Sequence, residues 1–220
     1  MWNFSNDTLT HKDVVRQVIS LTKDIIASAG STDKTIKIWD VNKYKEIQTL
    51  REDFWVFSLL KLKNKNEMVA GGRGWNKKSV SFWNTITFKK EHTVECCECY
   101  SYNGLIELPN GCVAVSGGES STIDVIDTKT YQRIKQMQCG GYIGSGGGSW
   151  SSLHLLSNGT FIYSHEGCFC QISSTTYEVL YKDKKEKEFE GWTMTSTSNG
   201  KYIIADNYNY GVSIFKVDYY

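Results

Sequence analysis

Thr35-Ile36-Lys37-Ile38-Trp39-Asp40 decides the fold of this chain, because the same alternating hexapeptide returns as Ser79-Val80-Ser81-Phe82-Trp83-Asn84 and as Thr122-Ile123-Asp124-Val125-Ile126-Asp127. Weaker copies stand at Cys168-Phe169-Cys170-Gln171-Ile172-Ser173 and Gly211-Val212-Ser213-Ile214-Phe215-Lys216, each apolar at the second and fifth places. The fifth places, Trp39, Trp83, Ile126, Ile172 and Phe215, lie 44, 43, 46 and 43 residues apart. A period in this range marks a chain built from stacked units.

Two further markers keep the same beat. Asn110-Gly111, Asn158-Gly159 and Asn199-Gly200 each separate two apolar or alternating runs, and Asn-Gly suits the type I′ turn of a two-strand hairpin. Small-residue pairs follow the second strand at Gly30-Ser31, Gly71-Gly72 and Gly117-Gly118. Each unit then reads as four short strands, in the first at about residues 14–21, 25–29, 35–39 and 45–50, too short and too β-branched for helices. One such sheet cannot cover both its faces. Five stacked around an axis cover each other, which predicts an all-β fold, a β-propeller of about five four-stranded blades in a single domain. The blades fall at about residues 12–50, 54–94, 100–138, 150–181 and 191–220 plus 3–9.

Composition agrees. Among 220 residues there are 13 Tyr, 9 Phe, 7 Trp, 19 Gly and a single proline, Pro109, which excludes collagen, Gly/Pro low complexity and disorder and favours pleated, half-buried surfaces. A formal charge of +1 gives no bulk electrostatic reason to bind nucleic acid or an anionic membrane. No cationic-then-apolar start and no run of about 18 apolar residues occurs, so a soluble, unexported protein is expected. Seven cysteines are then reduced, and the expected compartment is cytoplasmic, with the nucleus open.

The run Ile25 to Asp40, IIASAGSTDKTIKIWD, closely resembles the WD-repeat (beta-transducin-like) family, and Thr8-Leu9-Thr10-His11 is similar to that family's Leu-x-Gly-His opening. The resemblance implies a buried network joining the opening His, a Ser or Thr of the second strand, the turn Asp and the Trp. His11, Asp33 and Trp39 match. Ala29 stands at the hydroxyl position, so that link is missing unless Ser28 substitutes through a bulge. The second unit keeps Trp83 alone, and the third keeps Ser116 with Ser120 for Asp and Ile126 for Trp. The last two have lost the network and are expected to rely on apolar packing, worth about 25 cal/mol per Å² buried. The glycine pairs also resemble kelch propellers, but the Trp-Asp ending and the Asp33 turn favour the WD-repeat family. Its members mostly have seven blades and this chain supplies five. Residues 3–9 could close the ring as the outer strand of the last blade; the alternative is an open arc covered by a partner or a second copy.

The repeat register sends Phe54, Trp55, Arg73, Trp75, Glu119, Tyr142, Trp150, His165, Glu166, Trp192, Tyr208 and Tyr210 to the rim that carries the blade-to-blade connections and the turns between second and third strands, here the top. Large aromatics and Arg dominate interface hot spots, so this rim is the expected docking face, with Arg73, Trp75, Tyr208, Tyr142, Trp55 and Tyr210 as the candidate binding residues. Phe54, Trp55, Trp150 and Trp192 could equally pack between blades.

Other motifs point to bland roles. The glycine-rich residues 140–149 lack the Lys-Ser/Thr or helix start of a phosphate loop and read as a connection. Cys96, Cys97 and Cys99 lack the paired spacing of a zinc site and read as buried thiols, as do Cys168 and Cys170. Residues 182–188 mix both charges in a predicted loop. His92, His154 and His165 have no catalytic motif around them, and Asp124, Asp127 and Asp206 are too dispersed to assign. No catalytic residue, metal or cofactor is expected. The expected function is a non-catalytic scaffold or adaptor binding a protein or peptide on its top rim. Alternatives are an enzyme using the central channel on a glycan or small molecule, and a ubiquitin-ligase substrate receptor; the latter is weakened because Asn42 stands where such family members often carry Arg.

Overall fold

The computed structural model describes residues 10–74, 79–97, 104–117, 121–139, 151–165, 168–184, 194–197, 200–207 and 211–216. Each repeat folds into one antiparallel sheet whose strands lie side by side in chain order. Blade 1 holds β1 (Val15–Ser20), β2 (Ile25–Gly30), β3 (Thr35–Asp40) and β4 (Lys45–Arg51); blade 2 holds β5 (Trp55–Lys61), β6 (Glu67–Arg73), β7 (Ser79–Asn84) and β8 (Lys90–Glu95). Blade 3 holds β9 (Leu105–Glu107), β10 (Val113–Ser116), β11 (Thr122–Asp127) and β12 (Gln132–Gln138); blade 4 holds β13 (Ser151–Leu155), β14 (Thr160–His165), β15 (Cys168–Ser173) and β16 (Val179–Lys184). Blade 5 shows three strands, β17 (Met194–Ser196), β18 (Tyr202–Asn207) and β19 (Gly211–Lys216). Residues 3–9, expected to complete it, lie outside the described residues. The innermost strands pack in sequence, β1 on β5, β5 on β9, β9 on β13 and β13 on β17, so the chain is a five-bladed β-propeller. Among the described residues no helix is long and apolar enough to cross a membrane.

Strand alternation explains how blades join. Successive side chains of a strand point to opposite faces, so the second and fourth places of the hexapeptide serve one neighbour and the fifth the other. Ile36 and Ile38 of β3 pack with Phe54, Val56 and Leu59 of blade 2, and Val80 and Phe82 of β7 with Leu105 and Val113 of blade 3. Ile123 and Val125 of β11 pack with Leu153 and Phe161 of blade 4. The fifth places Trp83, Ile126 and Ile172 face back onto blades 1, 2 and 3. Each blade thus has a trailing face toward the next blade and a leading face toward the previous one. A register shift just before the fifth place, between Ile38 and Trp39, Phe82 and Trp83, Val125 and Ile126, and Gln171 and Ile172, recurs where third and fourth strands pair. Such bulges sharpen the local twist.

Two local expectations need correction. The turns at Asn110-Gly111 and Asn158-Gly159 are not type I′, because only the glycine has positive φ, Gly111 at 82° and Gly159 at 83°, while Asn110 and Asn158 do not. Gly111 N–H donates to Leu108 O at 2.9 Å and Leu108 N–H to Cys112 O at 2.8 Å, a type I turn with the glycine as a bulge. Pro109 supplies the fixed φ of the turn's second position. Lys182, Asp183 and Lys184, assigned to a loop, belong to β16, paired with Cys170, Phe169 and Cys168 of β15.

The turn between third and fourth strands carries a device of its own. Asp40, Asn84, Asp127 and Ser173 end the third strands and accept from backbone N–H groups of the turn: Asn42 and Lys43, Ile86 and Thr87, Lys129, and Thr175 and Thr176. Four residues on, an aromatic sits in the left-handed region, Tyr44 (φ 48°), Phe88 (54°), Tyr131 (54°) and Tyr177 (59°). That conformation costs a side-chain-bearing residue about 1–2 kcal/mol, and in blades 2 to 4 the aromatic is held there by the previous blade. Phe88 packs on the cluster shared by blades 1 and 2, Tyr131 on Phe82 of blade 2, and the Tyr177 hydroxyl accepts from Asn110 Nδ2 of blade 3 at 2.8 Å.

Candidate functional site

The blade 1 network is complete. The Trp39 indole N–H donates to Ser28 Oγ (2.7 Å), Ser28 Oγ meets His11 Nε2 (2.6 Å), and His11 Nδ1 meets Asp33 Oδ2 (3.0 Å). A carboxylate can only accept, which assigns the imidazole proton to Nδ1 and makes the Ser28 hydroxyl the donor to Nε2. Thr35 Oγ1 and N–H both donate to Asp33 Oδ1 (2.8 and 3.0 Å). Burial acts to raise the Asp33 pKa, but the Thr35 and His11 hydrogen bonds outweigh it and hold the carboxyl below its ordinary range.

The hydroxyl expected at position 29 therefore comes from Ser28. Pairing of β2 with β3 is unbroken, Ser28 opposite Lys37 and Ala29 opposite Ile36, so Ser28 shares the Trp39 face while Ala29 points into the blade 2 seam. A register shift does stand on the other side of β2, in β1 between Val15 and Gln17, opposite Gly30 and Ala29. Gly30 is required beside it, since a Cβ there would collide with Asp33 and His11. Ser28→Ala is expected to cost about 1–3 kcal/mol in urea denaturation, because Trp39 and His11 each lose a buried partner. Ala29→Ser is expected to destabilise as well, by placing an unpaired hydroxyl in the seam.

In blade 2 a carboxylate replaces the serine. Glu52, in the connection from blade 1, has a fully buried side chain. It accepts from Trp83 Nε1 at 2.7 Å, Ser81 Oγ at 3.1 Å and Lys90 Nζ at 2.6 Å. Lys90 also lies over the Trp83 ring, as Lys37 lies over Trp39. In blade 3 the buried Asp124 accepts from Cys97 N–H at 2.6 Å and Gln136 Nε2 at 2.9 Å, and so braces β11 against β12 and the connection after β8. His154 Nε2 reaches Ser196 Oγ of blade 5 at 3.0 Å. Cys96 and Cys97 are both buried, and their thiols donate to the carbonyls of Cys97 and Val115; Cys170 donates to Cys139 O. Among the described residues no three His, Cys, Asp or Glu side chains converge on a metal position.

On the top rim, Trp55 and Arg73 are direct cross-strand partners at the ends of β5 and β6, both half-buried. Gly72 beside them is required because a Cβ would strike the Trp55 carbonyl and the Phe54 ring. Inward of the pair, the Arg16 guanidinium lies 5.5 Å from the centre of the Phe57 ring, and the Gln17 side chain of β1 accepts from Leu59 N–H of β5 at 2.6 Å. Neither Arg16 nor Gln17 was singled out by the repeat register, since no motif marks the first strand. Phe54 and His165, assigned to the rim, are core residues: Phe54 fills the blade 1–2 seam and His165 Nδ1 pairs with Ser121 Oγ of blade 3 at 3.0 Å. Trp75, Glu119, Tyr142, Trp150, Glu166, Trp192, Tyr208 and Tyr210 lie outside the described residues.

No family model and no curated protein matches the chain. Solved structures do, with 1179 matching chains. One is the hydrazine synthase of Kuenenia stuttgartiensis, with a TM-score of 0.72 at 14% identity over 93% of this chain. This chain spans only 59% of that one. A likeness at such low identity is one of fold alone, so what the comparisons establish is a β-propeller shared across many solved proteins.

Proposed function

We propose that the protein is a non-catalytic, WD-repeat-like scaffold or adaptor that docks a protein or peptide on its top rim. The observation that carries this is the Trp55–Arg73 pair, two hot-spot residue types side by side at the rim, on neighbouring paired strands rather than on a loop. Rigid strands pre-order both side chains, which lowers the entropic cost of docking. The blade 1 network supports the family assignment, because His11, Ser28, Asp33 and Trp39 make all the links that the resemblance implies. Among the described residues five cysteines are buried thiols, which suits a reducing compartment and is in keeping with a cytoplasmic scaffold.

Trp55→Ala with Arg73→Ala, and separately Trp75→Ala with Tyr208→Ala, are expected to cut retention of the partner at least tenfold in cross-linking and affinity capture while moving the Tm little. Undiminished capture by both variants would refute a top-rim site. Turnover by the purified protein that vanishes on removal of one channel carboxylate would favour an enzyme instead.

A further inference from the structure

Repetition gives every surface of a blade an internal standard, and two surfaces fail it. Val18 of β1 pairs with Ser28 and so lies on the leading face of blade 1. Its counterparts, by the same pairing, are Leu59, Leu105, Leu153 and Met194, and all four are buried against the preceding blade. Val18 is 53% exposed. Tyr44, the counterpart of Phe88, Tyr131 and Tyr177 in the outer turn, is 53% exposed. The second failure is the trailing face of blade 5. Val212 and Ile214 occupy the second and fourth places of the hexapeptide, where Ile36, Ile38, Val80, Phe82, Ile123 and Val125 have no exposure at all. Val212 is 66% and Ile214 67% exposed.

These are the two halves of one seam. In the interior of the array a trailing face always meets a leading face, and the apolar residues left over at the two ends are of those two kinds. Among the described residues no packing comparable to the four interior seams joins β17 to β1. We propose that the protein self-associates head to tail, with the trailing face of blade 5 in one copy (Val212, Ile214) docking on the leading face of blade 1 in a second copy (Val18, Tyr44). The contact continues the interface that already joins blades 1 to 5 and is heterologous, pairing two different surfaces of identical chains.

Three chains test it by sedimentation over a wide range of concentration. Wild type is expected to exceed the monomer mass increasingly as concentration rises. Val18→Glu with Tyr44→Asp spoils the leading face, and Val212→Glu with Ile214→Glu the trailing face; each variant alone is expected to stay monomeric. Mixed in equal amounts they are expected to form a one-to-one dimer, because the first retains a sound trailing face and the second a sound leading face. A wild type that is monomeric throughout overturns the proposal, as closure within one chain would give. A leading-face variant that still dimerises overturns it in favour of like-on-like packing of blade 5, and a mixture that stays monomeric overturns it too. Should the charged variants lose their far-ultraviolet signal, a mixture of Val18→Cys chains and Ile214→Cys chains decides: oxidation is expected to give a disulfide-linked pair containing one of each, and its absence counts against the seam.

Discussion

Glu52→Ala is expected to lower the unfolding free energy by about 3 kcal/mol, near the lower end of the cost of removing one partner from a buried ion pair. The change leaves the Trp83 indole N–H and the Ser81 hydroxyl without their acceptor and the Lys90 ammonium, itself only a third exposed, without its carboxylate. Glu52→Gln keeps an acceptor for Trp83 and is expected to cost less. Urea denaturation at neutral pH separates the two.

The same residue shapes the response to pH. Burial raises the Glu52 pKa, more than the hydrogen bonds from Lys90, Trp83 and Ser81 lower it. The folded chain then holds this proton at a pH where the unfolded chain has released it. Its contribution to stability is greatest below the unfolded value and declines as pH rises through the folded one. Asp33 acts the other way, since its pKa is lowered and its contribution disappears as the solution becomes acid. Glu52→Gln is expected to remove the first slope and leave the second, as read from stability measured from strongly acid to neutral pH.

Tyr131→Ala is the other substitution with a large expected effect, about 3 kcal/mol by analogy with aromatic truncations in cores. The ring lies 3.5 Å from the His92 ring centre to centre in a stack, meets Phe82 edge-on at 5.1 Å and carries Lys65 Nζ at 5.2 Å, while its hydroxyl donates to Glu67. Burial, then Glu67, pushes its pKa up to about 12, so its phenolic absorbance is expected to titrate well above that of an ordinary tyrosine. The left-handed backbone adds a sharper comparison. Glycine in regular structure is less stable than alanine by about 0.5–1 kcal/mol, but here Tyr131→Gly is expected to match or exceed the stability of Tyr131→Ala, because only glycine accepts that φ freely.

The strand hexapeptides made the blades readable before any coordinate, since alternation and a steady period both survive the loss of individual residues. The outer turns were readable too. Asp40 to Tyr44, Asn84 to Phe88, Asp127 to Tyr131 and Ser173 to Tyr177 keep the spacing of the hexapeptide, yet an aromatic at a position that normally suits glycine does not look like a turn signal. Ser28 was legible only as a substitute for Ala29, because the face of a strand residue follows from its partner across the sheet. Glu52 was hidden for a different reason: a connection between blades has no period, and a carboxylate that accepts an indole N–H of the next blade has no local pattern. On the rim, Trp55 and Arg73 were legible as residue types, while their direct pairing depended on the bulge in β5 between Val56 and Ser58.

The outer-turn aromatics also give the chain a direction in time. Phe88, Tyr131 and Tyr177 each reach back to the blade before their own, never forward. During synthesis from the amino terminus, the surface that receives each ring has therefore already left the ribosome when the ring emerges. A blade can dock as soon as its third strand and outer turn are complete, on a platform finished tens of residues earlier, and the array can grow by addition with no seam waiting for sequence still to be made.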